Sequence, residues 1–467
     1  MKSIFMIGMA VALLSSSFYW NEPKIDENSG DVNYISSASI DGVDKPPRDE
    51  SKPGDKDKRP PRREDENKPP RKEGEHKPPK EGDKENMPLE NDGQPKYSIE
   101  QAVSDNAQLN TIAFSGLAYL TGTQGADSFL PPGKVADFFG FQYMRDVDIA
   151  GYGHNTTFLT KAAMNVLSIL NEDQLESLKV LANEQFELYE DYGYGRLTII
   201  DAFRKTLSGS ELDVDAVSAY SGDLFEIDGQ LSYHRAQVLG EIVRSFSDDQ
   251  KAYLEAMAFD DSSTWPEIDE EGILDKRSMS HLEHVAVMTY ASELFSWYKG
   301  SLEADSYFCP ERHGTYFGGF YMKDYPAMNN PDYFISTSLT GNSGKEFLEI
   351  LNDNQRQLIE SIIEEQRNEM NRIVEIRGQV SRLLRDFMIK DDVDEAEVMA
   401  LMEEYGQVEG RLSSLYAERF AAVSESLTED QFDALYTLRN QYVFPDGDYL
   451  YSQPIESYNA DGSSLLK

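Results

Sequence analysis

Apolar residues recur along this chain at the spacing of an α-helix. Seven of them stand three to five positions apart, which suits one buried stripe on two abutting helices: Leu167, Leu170, Leu175, Leu178, Leu181, Phe186 and Tyr189. Similar stripes run through Phe347–Ile363, Leu231–Met257 and Leu412–Leu438. We find no convincing pairs of alternating strands. The pattern therefore predicts an all-α fold.

Two turn-rich, aromatic segments interrupt this helical pattern. They run through Pro131–Asn155 and Pro310–Asn342, and we predict that both form ordered loops. Each lies at the corresponding place in a longer unit of sequence, because the chain repeats itself.

The repeat is visible in two pairs of segments. Ala126–Asp146 returns at Ala304–Asp324, 178 positions further on, and Gly229–Gln250 returns at Gly410–Gln431, 181 positions further on. An offset this constant predicts two copies of one fold in tandem. We expect two helical-bundle repeats, residues 97–276 and 277–467, each carrying one long aromatic loop.

The first 96 residues have a different character. Lys2, the apolar run Ile4–Leu14 and the small residues Ser15–Ser17 predict a signal peptide over residues 1–20, too short to span a bilayer. Residues 21–96 read as a disordered linker rich in Pro pairs and charge, with 14 Lys/Arg against 15 Asp/Glu between Asp44 and Asp92. We expect a periplasmic or secreted protein that does not insert into the membrane.

The net charge of −40 is concentrated outside that linker. An acidic surface repels nucleic acid and anionic lipid, which argues against both as partners. The chain has a single cysteine, Cys309, so no intramolecular disulfide stabilises the fold.

One short motif occurs four times and predicts helix starts. It reads LNEDQ at Leu170–Gln174, FSDDQ at Phe246–Gln250, LNDNQ at Leu351–Gln355 and LTEDQ at Leu427–Gln431. This is the pattern of a capping box, in which the cap side chain accepts from the amide three residues on and the glutamine there bonds back to the cap. The predicted pairs are Asn171 with Gln174, Ser247 with Gln250, Asn352 with Gln355, and Thr428 with Gln431.

Two such boxes in each repeat resemble the LTxxQ motif of the Spy/CpxP family of bacterial periplasmic proteins. The resemblance implies an exported, all-helical protein of the kind that pairs into a cradle and binds unfolded polypeptides without ATP, or senses envelope stress or metals. It also implies that the tandem copies form within one chain the pair that the family makes from two. The expected function is a chaperone-like or protein-binding envelope protein, monomeric with an intramolecular pseudo-dimer, whose partners are unfolded or other polypeptides.

The aromatic loops supply the residues with which such clients would be held. Two interpretations stay open: the loop residues pin the loops into their own core, or they form an apolar platform for peptide side chains. The residues concerned are Phe139, Tyr143, Met144, Phe317, Tyr321 and Met322.

Two alternatives to client binding come from residue chemistry. His281 and His284 stand three apart in a predicted helix, and Cys309 and His313 follow, which would suit zinc or copper; otherwise we expect no cofactor. A second alternative is an acidic structural or matrix protein that collects calcium. No HExxH, CxxC or GxSxG motif occurs, so the sequence predicts no enzyme.

Overall fold

Long helices begun by polar caps make up the computed structural model of this protein. The structure describes residues 105–122, 138–139, 157–258, 265–268, 274, 279–300, 302, 343–439 and 460–467. All of them belong to one compact unit, Lys77–Lys467. The predicted signal peptide, the predicted linker and most of both aromatic loops lie outside the described residues.

Eleven α-helices account for most of the described part. They are α1 Asp105–Thr121, α2 Thr157–Ile169, α3 Glu172–Thr206, α4 Val214–Ser245, α5 Asp248–Ala256, α6 His281–Lys299, α7 Ser343–Ile350, α8 Asp353–Glu365, α9 Arg367–Asp386, α10 Glu395–Ser424 and α11 Glu429–Arg439. A 3-10 turn, Ser463–Leu465, follows near the end of the chain. Within these ranges there is no strand, only an isolated bridge between Leu212 and Leu466. The all-α prediction is confirmed.

The helices also bear on membrane insertion. None of those described combines the length and the apolar character needed to cross a bilayer. Their apolar residues instead form a shared core, in which Leu178, Leu231 and Leu412 are almost completely buried. These side chains belong to the stripes that the sequence pattern singled out.

Helices α4 and α10 form the most extensive helix pair and cross at small residues. A Cβ at Gly410 would lie 2.9 Å from the Ser221 Cβ, and one at Gly229 would lie 3.1 Å from the Met402 Cβ. Gly229 and Gly410 are 181 positions apart in sequence, and so are Ser221 and Met402. The two helices therefore present corresponding faces to each other, as the subunits of a symmetric dimer do.

The remaining helices pack around this pair in two groups. The first half-bundle comprises α2, α3, α4, α5 and α6. The second comprises α1 together with α7, α8, α9, α10 and α11. Helix α1 packs mainly against α7, α8, α10 and α11, and α6 packs mainly against α2, α3 and α5.

Two helices, one from each repeat, pack in the half-bundle formed by the other repeat. Helices α1 and α6 occupy corresponding places in the two repeats, and each lies against the other repeat's helices. The first half-bundle is consequently continuous in sequence, whereas the second combines α1 with helices that begin more than 200 residues later. The two half-bundles therefore do not coincide with the two repeats: α1 of the first repeat lies in the second half-bundle, and α6 of the second repeat lies in the first.

Candidate functional site

Each of the four LTxxQ-like motifs forms a reciprocal capping box. At the start of α3, the Gln174 amide donates to Asn171 Oδ1 over 2.9 Å and the Asn171 amide donates to Gln174 Oε1 over 3.0 Å. The same two bonds open α8, between Asn352 and Gln355. They therefore satisfy amides that the helix itself leaves without an acceptor.

The two short helices begin in the same way. Ser247 and Gln250 exchange these bonds at 2.9 and 3.2 Å at the start of α5. Thr428 and Gln431 exchange them at 3.0 and 3.2 Å at the start of α11.

In the first half-bundle the two cap glutamines also bond to each other. Gln250 Nε2 donates to Gln174 Oε1 over 2.7 Å and to the Ile169 carbonyl over 2.7 Å. Gln174 Nε2 donates to Ser245 Oγ over 2.9 Å. The starts of α3 and α5 and the ends of α2 and α4 thus meet at one polar joint.

The second half-bundle contains the same joint. Gln431 Nε2 donates to Gln355 Oε1 over 2.8 Å and to the Ile350 carbonyl over 2.9 Å. Gln355 Nε2 donates to Ser426 Oγ over 3.1 Å. Each atom corresponds to one in the first joint 181 positions earlier. We call the two sets, Gln174 with Gln250 and Gln355 with Gln431, the paired caps.

Glutamine is required at these joints because its amide both accepts and donates. The oxygen accepts from the cap amide, while the nitrogen donates to a second helix. A glutamate would keep the first bond and lose the second. Gln174 and Gln355 are buried, 4% and 1% exposed, so a lost bond there would not be replaced by water.

A buried ion pair lies in the first half-bundle between α4 and α6. Arg235 Nη1 donates to both carboxylate oxygens of Glu293 over 2.9 Å, and both side chains are at most 1% exposed. Tyr290 donates to Gln185 Oε1 over 3.0 Å, and the Arg235 guanidinium lies 4.7 Å from the Tyr290 ring centroid. These four residues form what we call the charged core.

The second half-bundle has a cluster of uncharged hydrogen-bonding side chains at the corresponding place, with the buried Glu409 carboxylate nearby. Tyr416 donates to Gln366 Oε1 over 2.6 Å, and Gln366 Nε2 donates to Gln108 Oε1 over 2.6 Å. Burial raises the pKa of Tyr416 well above 10, with a further rise from Glu409. Tyr416 and Gln366 stand 181 positions after Arg235 and Gln185. We call Gln108, Gln366 and Tyr416 the neutral core.

The second half-bundle also has two bidentate ion pairs at its surface. Arg372 reaches both carboxylate oxygens of Glu404 over 2.6 and 2.7 Å, and Arg411 reaches those of Glu369 over 3.0 and 3.2 Å. Both pairs join α9 to α10. The hydrogen bond from Arg372 lowers the pKa of the Glu404 carboxyl.

The aromatic residues assigned to client contact are mostly outside the described part. These are Tyr143, Met144, Phe317, Tyr321 and Met322. Phe139 is described and is 1% exposed, with its ring centroid 5.5 Å from that of Trp297 and 5.5 Å from the Arg235 guanidinium. Phe139 therefore belongs to the wall of the charged core and offers no surface in this structure.

The residues considered for metal binding are not brought together by what the structure describes. His281 and His284 lie in the first turn of α6, while Cys309 and His313 fall outside the described residues. The described part contains no group of three or more His, Cys, Asp or Glu residues arranged to hold a metal ion.

The sequence motif located the paired caps but gave no sign of their pairing. The bond between two cap glutamines joins residues 76 positions apart, and helix capping alone does not require it. The charged core was missed entirely, since Arg235 and Glu293 stand in unremarkable stretches of two separate helices. A glutamate between the apolar residues of α6 is the one signal that could have pointed to it.

Comparison with known proteins gives no relative from which a function could be transferred. No family model, no curated protein and no solved structure matches the chain.

Proposed function

We propose that this is an exported, ATP-independent, chaperone-like protein that binds other polypeptides and resembles the Spy/CpxP group. The observation that carries the proposal is the arrangement of the four LTxxQ-like boxes as two equivalent paired caps, one in each half-bundle. A lone capping box means only that a helix begins. Two boxes whose glutamines bond to each other make a specific joint, and the joint occurs twice.

We further infer that the chain is a tandem duplication acting as a pseudo-dimer. The bonds of the first paired cap all recur in the second at an offset of 181, and α4 and α10 meet through corresponding faces. The exchange of α1 and α6 between the halves supports the same inference, because it links the two halves as helix exchange links dimer subunits.

Client contact is assigned to the aromatic loops, since the described surface offers little apolar area. Its exposed large hydrophobic residues are Val180 in α3, Ile389 in the turn after α9 and Tyr436 in α11. A surface of that kind does not form a contiguous binding patch. The loop residues in the proposal are Tyr143, Met144, Tyr321 and Met322, with Phe317 as a supporting aromatic.

The test is suppression of aggregation of reduced insulin by the chain without ATP. We expect near-stoichiometric amounts to suppress light scattering, and a variant with Tyr143, Met144, Tyr321 and Met322 changed to serine to lose most of that effect. A matched control changes Val180, Ile389 and Tyr436 to serine and should keep full suppression.

Two outcomes would change the proposal. Absence of suppression by the unmodified chain removes the chaperone-like function. Suppression that survives the loop variant and fails in the control moves the client site from the loops to the helices. The metal-binding and matrix alternatives stay predictions, to be decided by equilibrium dialysis against zinc, copper and calcium.

A further inference from the structure

Residues 460–467 lie on the corner between α3 and α4, where the chain turns at residues 207–213. The Asp213 amide donates to the Leu465 carbonyl over 2.9 Å, and the Lys467 amide donates to the Glu211 carbonyl over 3.0 Å. Together with the isolated antiparallel bridge between Leu212 and Leu466, these backbone bonds attach the segment, which contains the 3-10 turn Ser463–Leu465, to the corner. We call residues 460–467 the docked segment and residues 207–213, with the adjoining last turns of α3, the docking corner.

The docking corner selects glycine at one position by space alone. A Cβ at Gly462 would lie 2.5 Å from the Thr198 carbonyl oxygen and 2.5 Å from the Ala202 nitrogen. Both obstacles are backbone atoms of α3, which cannot move aside as a flexible side chain would. The Gly462 amide donates to Asp201 Oδ2 over 2.8 Å, so this close approach also makes a hydrogen bond to a carboxylate.

Polar and apolar side chains of the docked segment are recognised on either side of that glycine. Lys205 Nζ lies 3.3 Å from Asp461 Oδ1 and 3.1 Å from Ser463 Oγ. The hydrogen bonds from Ser463 and the nearby Lys205 lower the pKa of Asp461 to about 2. Leu465 is 3% exposed and packs into the shared core. Four of the five residues of the sequence Asp-Gly-Ser-Ser-Leu, all except Ser464, thus make the contacts described above with the rest of the protein.

The corner at the corresponding place between α9 and α10 is covered differently. There Tyr233 of α4 donates to the Val393 carbonyl over 2.9 Å, and Arg244 of α4 donates to the Lys390 carbonyl over 3.0 Å. Val393 stands 181 positions after Leu212. That corner is closed by a helix of the folded core, whereas the docking corner is closed by eight residues joined to α11 through a further 20 residues, 440–459.

From this difference we infer that the docking corner is a peptide-binding site, and that it can take the docked segment of a second copy in place of its own. Every contact described above is carried by the eight residues themselves. The covalent connection therefore supplies effective concentration rather than recognition. This inference does not depend on chaperone-like activity, because the experiments that test it measure peptide binding and complex formation in the absence of any client.

The first experiment uses a chain lacking residues 460–467 and a fluorescein-labelled peptide, ADGSSLLK. We expect saturable binding by fluorescence anisotropy, and no binding to the full chain, whose own segment fills the site. The peptide with Gly462→Ala should bind at least about tenfold more weakly, since its methyl group would meet the backbone of α3. A peptide of scrambled sequence should not bind.

The second experiment distinguishes a second copy as the source of the segment. The truncated chain has an intact corner and no segment; a full chain carrying Ala202→Trp has a segment and a blocked corner. Each alone should be monomeric, and their mixture should give a one-to-one complex by light scattering coupled to size-exclusion chromatography.

Outcomes against the inference are equally definite. If the truncated chain keeps its helical circular dichroism and cooperative unfolding yet binds no peptide, the site does not act in trans. Should truncation prevent folding, the full chain with Gly462→Ala undocks its own segment while keeping every other residue, and the wild-type peptide should then bind. Failure of both variants to fold would make the segment an integral part of the core and overturn the inference.

Discussion

The two half-bundles solve the same packing problem with different polar chemistry. At corresponding places, the first holds a buried arginine–glutamate pair and the second holds two glutamines and a tyrosine. Where α6 supplies Glu293 to the charged core, α1 has Ser115 at the corresponding position, 178 residues earlier. The second half-bundle carries its bidentate ion pairs on the surface, between α9 and α10.

This difference makes the two exchanged helices chemically non-equivalent. If α1 lay in the first half-bundle, Arg235 would meet Ser115 instead of a carboxylate. If α6 lay in the second, Glu293 would be buried against the amide and phenol of Gln366 and Tyr416. Buried charges without an opposite charge cost several kcal/mol. The two cores therefore favour α6 in the first half-bundle and α1 in the second, and variants that remove these buried groups test that difference.

The largest effect is expected from breaking the charged core. Arg235→Met leaves the Glu293 carboxylate buried without the guanidinium, and removing one member of a buried pair costs about 3–5 kcal/mol. Urea unfolding followed by circular dichroism should show this loss. The double variant Arg235→Met with Glu293→Leu should recover most of it, because no buried charge then remains.

The matched change in the neutral core is Tyr416→Phe. It removes one neutral hydrogen bond to Gln366, which should cost only about 1–2 kcal/mol. A loss for Tyr416→Phe as large as that for Arg235→Met would contradict the distinction between the two cores.

Replacing a cap glutamine by alanine should lower the free energy of unfolding by similar amounts in the two half-bundles. Gln355→Ala removes the acceptor for the Asn352 amide and the donor to Ser426, at a cost of about 2–3 kcal/mol. Gln174→Ala should cost slightly less, within about 1 kcal/mol, since Gln355 makes the same bonds and also donates to the Ser426 carbonyl over 2.9 Å. A double-mutant cycle between Gln355 and Gln431 should give a coupling of about 0.5–2 kcal/mol, and additivity would show that their mutual bond contributes nothing.

Alanine substitutions at the two glycines where α4 crosses α10 should differ in their effect on stability. A methyl group at Gly410 meets Ser221 Cβ at 2.9 Å and the Val217 carbonyl oxygen at 3.0 Å, so Gly410→Ala should cost about 1–2 kcal/mol. At Gly229 the neighbours are Met402 Cβ and Cγ at 3.1 Å and the Met399 sulfur at 3.2 Å. Because these contacts are slightly longer than those at Gly410, Gly229→Ala should lose less stability, by about 0.5–1 kcal/mol, while the helix preference for alanine acts equally at both positions. Melting temperatures of both variants check the difference.

The smallest effect concerns pH at the docking corner. The pKa of Asp461 is held at about 2 instead of its ordinary 3.8, so the contribution of its charge to docking is complete above about pH 4 and is lost as the pH falls through 2. Affinity of the truncated chain for the peptide ADGSSLLK should fall by about twofold between pH 5 and pH 3, less than the pKa shift alone would give, because solvent screens the exposed Asp461 carboxylate. The Asp461→Asn peptide should show no such dependence, and an equal fall for both peptides would assign the effect to another group.

The helix starts were predictable because capping is local. A cap residue and a glutamine three positions on satisfy each other whatever the rest of the chain does, and all four predicted boxes are present at Asn171, Ser247, Asn352 and Thr428. The partner of each cap glutamine was not predictable, since it depends on where a helix 76 residues away comes to lie. For the same reason the pattern placed Phe139 in an aromatic segment without deciding between surface and core.

By itself, the sequence determined what depends on residues close together in the chain: helices from the spacing of apolar residues and helix starts from capping boxes. It also predicted a repeated unit, from two pairs of similar segments at offsets of 178 and 181. Tertiary structure alone decided that α1 and α6 exchange places, that Arg235 meets Glu293 in one half while Gln366 meets Gln108 in the other, and that residues 460–467 return to α3 and α4. Local patterns fix each helix because its hydrogen bonds close within four residues. Which helices meet is fixed by burial of side chains far apart in the chain, and no short window of sequence contains both partners.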